Sequence, residues 1–382
     1  MTKKLTREEI YAEAVELRRK FHENPELSLE EYETSDFILH YLQQESIPAR
    51  KAGTGVIGDI FVGADLPTLA LRAEMDALPI QERSVAPYLS KRPGVSHACG
   101  HDGITAVLLV LAKLLNRSRE RLSCNLRLIF EPGEEIGKGA KLMIEAGAME
   151  GVEKVIIFHF ANSLPLGMEV QQGFSTATVG RIAIEIRGKS THWGDRALGV
   201  DAICAAGEAL REIEELNRNF STELPFVAGI GKMSGGVKNN IMADSALLEG
   251  TLRAFGDDAF DELFCVLQQR LEAVAERTGA EMKLILESRM PAVVNDSSLV
   301  DLAMRAGRAH FGKDCVLGVT PYLAGDNAAY YFQLAKGVRM VFFGEKADCE
   351  NFPIHNPGFD FDEEILGHSI DVLSKMVFSM TA

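Results

Sequence analysis

Short apolar runs of β type alternate with helical stretches along most of this chain. That alternation restricts the architecture more than any other feature, because strands separated by helix-length segments pair in parallel under a covering of helices. The runs VIGDIFVG, PTLALRAEM, NLRLIFEP and KVIIFHF read as strands. Helices are expected over REEIYAEAVELRRKFHENPE, stopping near Pro25, from Glu30 to about Gln44, and from Gly103 and Gly139. ITAVLLVLAKLL, from Ile104, is short and interrupted by Lys113, which makes it a core helix and not a membrane span.

Near Val179 the pattern changes. RIAIEIRG, a helix at DAICAAGEALREIEELNR, the strands PFVAGIGKMSGG and ADSALLEGTLRAF, a helix at DDAFDELFCVLQQRLEAVAERTG and the strand EMKLILES follow one another. The order βαββαβ is that of a ferredoxin-like split unit. Helices at SSLVDLAMRAGRAHFG and DNAAYYFQLA, with the strand VRMVFFG, then resume the first pattern. The expected fold is α/β: a mostly parallel-sheet catalytic domain from segments 1–178 and 291–382, interrupted by a lid-like insertion at 179–290.

Charge and cysteine usage narrow the function. Forty basic against 55 acidic residues give a formal net charge of -15, a poor match to a phosphate backbone, so nucleic acid is not an expected partner. The six cysteines are scattered without a close-set framework and read as reduced thiols of a cytoplasmic protein. MTKKLTREEI has no apolar core of a signal peptide, and none is expected, nor is a membrane partner.

Residues able to carry chemistry fall at the carboxyl ends of the predicted strands, where open α/β sheets place their sites. AEMDALP offers Glu74 and Asp76; SHACGHDG offers His97, Cys99, His101 and Asp102; IFEPGEE offers Glu134 and Glu135; VIIFHF offers His159; FPIHNPGFDFDEE adds His355. Imidazole, thiolate and carboxylate together suit Zn²⁺. Of two adjacent glutamates, one can ligate while its neighbour accepts a proton from the attacking water. Each element has a plainer meaning. His159 alone is more often a satisfied strand-end histidine, and the glutamate pair alone a solvated turn. Cys99 with His101 also resembles a nucleophile and its base, but such dyads usually draw on separate segments. Their common placement at sheet ends favours the metal reading.

LRRKFHENPELSLEEYETS, LRAEMDALPIQE, HACGHDG, EPGEE, FHF followed by PLG, GKSTH and HNPGFDFDE occur in one order along nearly the whole chain. In that order they resemble the M20 metallopeptidase superfamily, in the amidohydrolase branch of hippurate hydrolases, aminoacylases and auxin-conjugate hydrolases. The resemblance implies Cys99, His101, Glu135, His159 and His355 as metal ligands and Glu134 as general base. It implies Asp76 as a carboxylate orienting the metal site. His192, in GKSTHWG, would reach the substrate carbonyl, in relatives from the partner subunit, and Asn240, in NNIMAD, would contact substrate. Two divalent ions, Zn²⁺ or Mn²⁺, and a homodimer through the inserted domain are implied as well. Arg253, in the strand after NNIMAD, is a candidate for a substrate carboxylate, or equally an ion-paired strand-end residue.

The chain departs from the branch in several places. Glu74 stands where Asp is usual, Ile104 where His is usual, NNIMAD lacks a proline, and Trp193 follows the lid histidine. AGDNAAYY, around Asp326 and Asn327, replaces a more acidic signature. These bear on substrate choice, the ligands and base being intact. His22 and Pro25 are expected to shape a helix end, His97 to support the metal loop, and His40, His310 and His368 to lie at the surface or in packing. The other five cysteines are read as inert. The expected function is metal-dependent hydrolysis of the amide of an N-acyl amino acid or similar small molecule. The alternatives are a dipeptidase or carboxypeptidase on the same scaffold and a non-catalytic binding relative.

Overall fold

The structure, a computed structural model, describes residues 6–318, 320–347 and 349–380. The first five residues, on which the reading of the N-terminus rests, lie outside them. Thr6 opens the first element with a capping box, its hydroxyl accepting from Glu9 N while the Glu9 carboxylate accepts from Thr6 N. The elements then run α1 (Arg7–Glu23), α2 (Tyr32–Gln44), β1 (Ala49–Ala52), β2 (Gly55–Ile60), β3 (Thr68–Glu74), α3 (His101–Arg117), β4 (Asn125–Glu131), α4 (Gly139–Glu145), β5 (Val152–Ala161), β6 (Gly167–Gln171) and β7 (Gly173–Phe174). They continue with β8 (Thr178–Arg187), α5 (Ala202–Asn219), β9 (Val227–Gly235), β10 (Ser245–Ala254), α6 (Asp257–Thr278), β11 (Glu281–Met290) and β12 (Val294–Asn295). The last are α7 (Ser297–Phe311), β13 (Cys315–Gly318), α8 (Ala328–Phe332), β14 (Lys336–Phe343) and α9 (Glu364–Phe378).

The chain divides into two compact units. The first takes the residues up to Ser175, Val294–Thr320 and those from Asn327 on. Its sheet has the order β1-β2-β4-β3-β5-β14-β6-β13. The centre, β4-β3-β5-β14, is parallel, while β1, β2 and β6 enter antiparallel. The central strands are apolar almost without alternation, as strands covered on both faces must be. α3 is buried nearly all round, from His101 through Ala112, and sits in the middle of the core.

The second unit holds Thr176–Val293 together with Pro321–Asp326. Its antiparallel sheet, ordered β11-β8-β10-β9, carries the βαββαβ connectivity of the split unit. One apolar face of that sheet, Ile182, Ile184, Ile186, Leu248 and Leu252, packs with the buried stripes of α5 and α6. The short 321–326 stretch shows no periodicity of its own; Ala177 N donates to Ala324 O and Arg253 Nη1 to Leu323 O.

Candidate metal and hydrolytic site

Because β3, β4 and β5 run parallel, their carboxyl ends share one edge of the first unit's sheet. Asp76 follows β3, Glu134 and Glu135 follow β4, and His159 lies near the end of β5. Cys99 and His101 arrive from the start of α3. That helix begins at His101, two residues before the expected Gly103, because Gly100 takes a left-handed conformation (φ 85°) and turns the chain into it. His355 comes from the loop after β14, also left-handed (φ 65°), with its N–H donated to Ala98 O at 2.7 Å. Asn162 holds that loop through the Phe352 and Asp360 carbonyls.

Three overlapping sets of donor atoms gather there, each within 4.8 Å of one another: Cys99, His101 and His159; Cys99, Glu135 and His355; His101, Glu134 and Glu135. Cys99 Sγ lies 3.5 Å from His159 Nε2. His355 Nε2 lies 3.3 Å from Glu135 Oε2. His101 Nε2 and Glu135 Oε1 are 3.9 Å apart, too far for a hydrogen bond, and both atoms are buried without a hydrogen-bond partner among the described residues. Two desolvated polar atoms facing one space without a bond between them fit a cation, and the donor set of thiol, imidazoles and carboxylates fits a divalent transition metal.

The surrounding bonds orient the rings for that task. His101 Nδ1 lies 3.0 Å from Asp76 O and 3.2 Å from Asp76 Oδ1, so Nδ1 donates to Asp76 and Nε2 is turned to the site. His159 repeats the device, with Nδ1 2.8 Å from Phe160 O. Asp76 Oδ2 accepts from Ser28 Oγ at 2.7 Å and from Glu135 N at 3.0 Å, which ties one carboxylate to both a ligand ring and the glutamate loop. Burial works to raise Asp76, but the bonds from His101, Ser28 and Glu135 N hold it below the ordinary carboxylate range. Burial pushes the Cys99 thiol up to about 12, against the opposing charge of His101. Glu135 stays low despite burial because His355 and His101 face it.

Behind α3 lies a second polar layer that the motifs did not reveal. Arg18, in α1, is buried and donates to Asp102, Asp360, Glu363 and Tyr88. His22 Nδ1 is 2.7 Å from Asp102 Oδ2 and Nε2 is 3.0 Å from Glu82 Oε1. Burial disfavours its charge, but those two carboxylates carry His22 up to about 9. His22 therefore does more than end a helix. His97 is buried beside it, ring centroids 6.5 Å apart, and burial takes it down to about 4. His40 is exposed, His310 and His368 pair at 2.7 Å in packing, and every cysteine is free.

The departures at Glu74 and Asn327 meet in one place. Arg72, fully buried in β3, contacts the Glu74 carboxylate, Glu131 Oε2 at 2.7 Å and Asn327 Oδ1 at 2.6 Å. Asn327 Nδ2 and Tyr331 O–H donate to Glu131. Glu74 stands outside the three donor sets.

In the second unit, His192 and Ile241 form a β-bridge, which brings His192 beside Asn240 in the chain. Both are exposed. Gly194 N donates to His192 Nδ1 at 3.1 Å, leaving Nε2 to carry the ring proton. Arg253 is half-buried, and one of its guanidinium nitrogens is bonded to Leu323 O at 2.7 Å.

Residues 70–379 match the peptidase family M20/M25/M40. An N-acetyl-L-cysteine deacetylase of Bacillus subtilis is 36% identical over 355 residues, covering 91% of this chain and 83% of that protein. A thermostable carboxypeptidase of Saccharolobus solfataricus is 34% identical over 364 residues, covering 92% and 91%. Among solved structures, a dinuclear metal-binding M20-family peptidase of Bacillus subtilis superimposes with a TM-score of 0.86 at 31% identity, over 97% of this chain and 98% of that one.

Proposed function

The chain belongs to the M20/M25/M40 peptidase family and is a metal-dependent amide hydrolase; from that premise we propose that its substrates are N-acyl amino acids or closely similar small amides. Cys99, His101, Glu135, His159 and His355 would hold two divalent ions, Zn²⁺ or Mn²⁺. When bound, such ions supply Lewis acidity to a carbonyl oxygen and to water. The observation that carries this reading is the convergence of six donor side chains at one sheet edge, with His101 Nε2 and Glu135 Oε1 desolvated and facing each other.

Glu134, half-buried among those donors, accepts the proton of the attacking water on its carboxylate. The water oxygen bonds to the amide carbon, the C–N bond breaks, and Glu134 returns the proton to the leaving nitrogen, giving a carboxylate and an amine. Asp76 holds His101 and the Glu135 backbone in register for that transfer. His192, whose Nε2–H is free of the Gly194 contact, is assigned to the substrate carbonyl oxygen. Asn240 and Arg253 are assigned to substrate, Arg253 to its carboxylate.

The carboxypeptidase relative favours a second reading, cleavage of a peptide bond next to a free carboxylate. A homodimer through the second unit is proposed as well; β9 is an edge strand whose residues from Lys232 to Gly235 are exposed. Six free thiols support a cytoplasmic setting. The deciding experiment measures amino-acid release from N-acetyl and N-benzoyl amino acids and from dipeptides, with Mn²⁺ or Zn²⁺ and again after chelation. Metal-dependent release from acylated amino acids, lowered by about 10²–10⁴ in Glu134→Gln, is expected. Release from dipeptides alone moves the protein to the second reading. Near-normal turnover by folded, metal-loaded Glu134→Gln refutes the role of Glu134.

A further inference from the structure

Glu31 stands at the N-cap position of α2 yet makes no cap bond there. Glu26 serves that helix end instead, accepting from Glu33 N at 3.2 Å and Thr34 N at 2.8 Å. The Glu31 carboxylate is wholly buried and turned elsewhere. Its Oε1 accepts from Leu29 N at 2.9 Å and from Gly133 N at 2.8 Å, and its Oε2 accepts from Thr54 Oγ1 at 2.5 Å.

Gly133 is the residue before Glu134. It adopts a left-handed conformation (φ 61°), and a Cβ there would come 2.8 Å from Leu29 Cδ2. Leu29 is itself left-handed (φ 66°), an unusual state for a branched side chain. A strained Leu29 and a left-handed turn that only glycine makes freely thus face each other across one carboxylate that accepts from both. Strain of this kind persists only where surroundings over-determine it, and it clusters where geometry must be exact for chemistry. The neighbouring Ser28 reaches Asp76, so the 28–31 segment grips both sides of the glutamate turn.

We propose that Glu31 is a positioning residue for Glu134: its buried carboxylate fixes the Gly133 peptide and thereby aims the base. The idea rests on the role given to Glu134 above, and it concerns a residue that touches neither substrate nor metal. The ordinary reading of a glutamate at this point is a helix cap, but Glu26 already fills that need.

Two variants of the full chain test it. Glu31→Met keeps the bulk and removes every acceptor, whereas Glu31→Gln keeps an amide oxygen for the Gly133 N–H. With Mn²⁺ added, Glu31→Met is expected to lose about 10–100-fold in kcat or in Mn²⁺ affinity, with KM within about twofold of wild type. In the metal-free protein its Gly133 amide should exchange hydrogen faster. Glu31→Gln should recover most of both properties. Folded Glu31→Met with wild-type kcat, Mn²⁺ affinity and Gly133 exchange overturns the proposal. Failure of both variants to fold overturns it too, since Glu31 would then serve the fold alone. If the wild-type chain hydrolyses no amide, the assigned reaction falls, while Gly133 exchange and Mn²⁺ affinity still decide the positioning role.

Discussion

His22 couples the stability of the first unit to pH, and the size of the effect follows from two contacts. The residue is 2% exposed, with Asp102 on one ring nitrogen and Glu82 on the other. Burial opposes the charged form, but the two carboxylates prevail and lift the group from 6.5 to about 9. A histidine with a raised folded-state value binds more protons folded than unfolded between those limits, so stability falls as pH rises through that window. The contribution is fully present below about 6.5 and gone above about 9. At about 1.4 kcal/mol per pH unit, it is worth about 3 kcal/mol.

The perturbation is His22→Gln, which keeps a polar side chain but cannot take up the proton. Urea unfolding followed by far-UV circular dichroism at pH 6.5 and pH 9 is the assay. Tryptophan fluorescence would report elsewhere, since the one tryptophan, Trp193, lies in the second unit. Wild type should lose about 3 kcal/mol more than His22→Gln between the two pH values. Parallel stability curves for the two proteins would refute a protonated His22 between Asp102 and Glu82.

Two further outcomes are expected. With the Cys99 thiol pushed up to about 12 by burial, metal uptake near pH 7 should release about one proton at this residue; calorimetry in buffers of different ionisation enthalpy should find it in wild type and find one fewer in Cys99→Ala. Glu74→Asp, which restores the residue usual in the branch, should withdraw a carboxylate from Arg72 and cost about 1–3 kcal/mol without reordering preference among N-acyl substrates; a changed ranking would make Glu74 a specificity residue.

The layer order and the split-unit insertion were legible from local signals, and the six converging donors stood out as ligand types at strand ends and in Gly-rich turns, their set being what the family resemblance implied. A strand's apolar run, a Gly-flanked turn and a ligand type at a strand end lie within a few neighbouring residues. What stayed hidden depends on distance along the chain. Strands as short as β6 and β13 carry little periodicity, and that β6 runs antiparallel to β14 is decided by packing. α9 was not anticipated although Ile365, Leu366, Ile370, Leu373 and Val377 give it a clear apolar face, because its start merges with the acidic FDFDEE motif. Nor was the attachment of 321–326 to the second unit, which is made by backbone bonds of a segment without pattern.

The partners of three charged residues stayed hidden for one physical reason. Arg18, His22 and Glu31 sit among many charges in their segments, and a solvated face is the ordinary meaning of such a run. Their partners lie far off: Asp102 is 84 residues from Arg18, and Gly133 is 102 residues from Glu31. The same distance explains Glu74 and Asn327, which read separately as two departures bearing on substrate. Around Arg72 they belong to one buried network: Asn327 bonds both the guanidinium and Glu131, and Glu74 contacts that same guanidinium. A buried guanidinium requires partners on every side, and removing one leaves a desolvated charge. Residues 74 and 327 are therefore constrained through Arg72 to suit each other, and a difference more able to alter substrate choice is one at an exposed position such as Trp193.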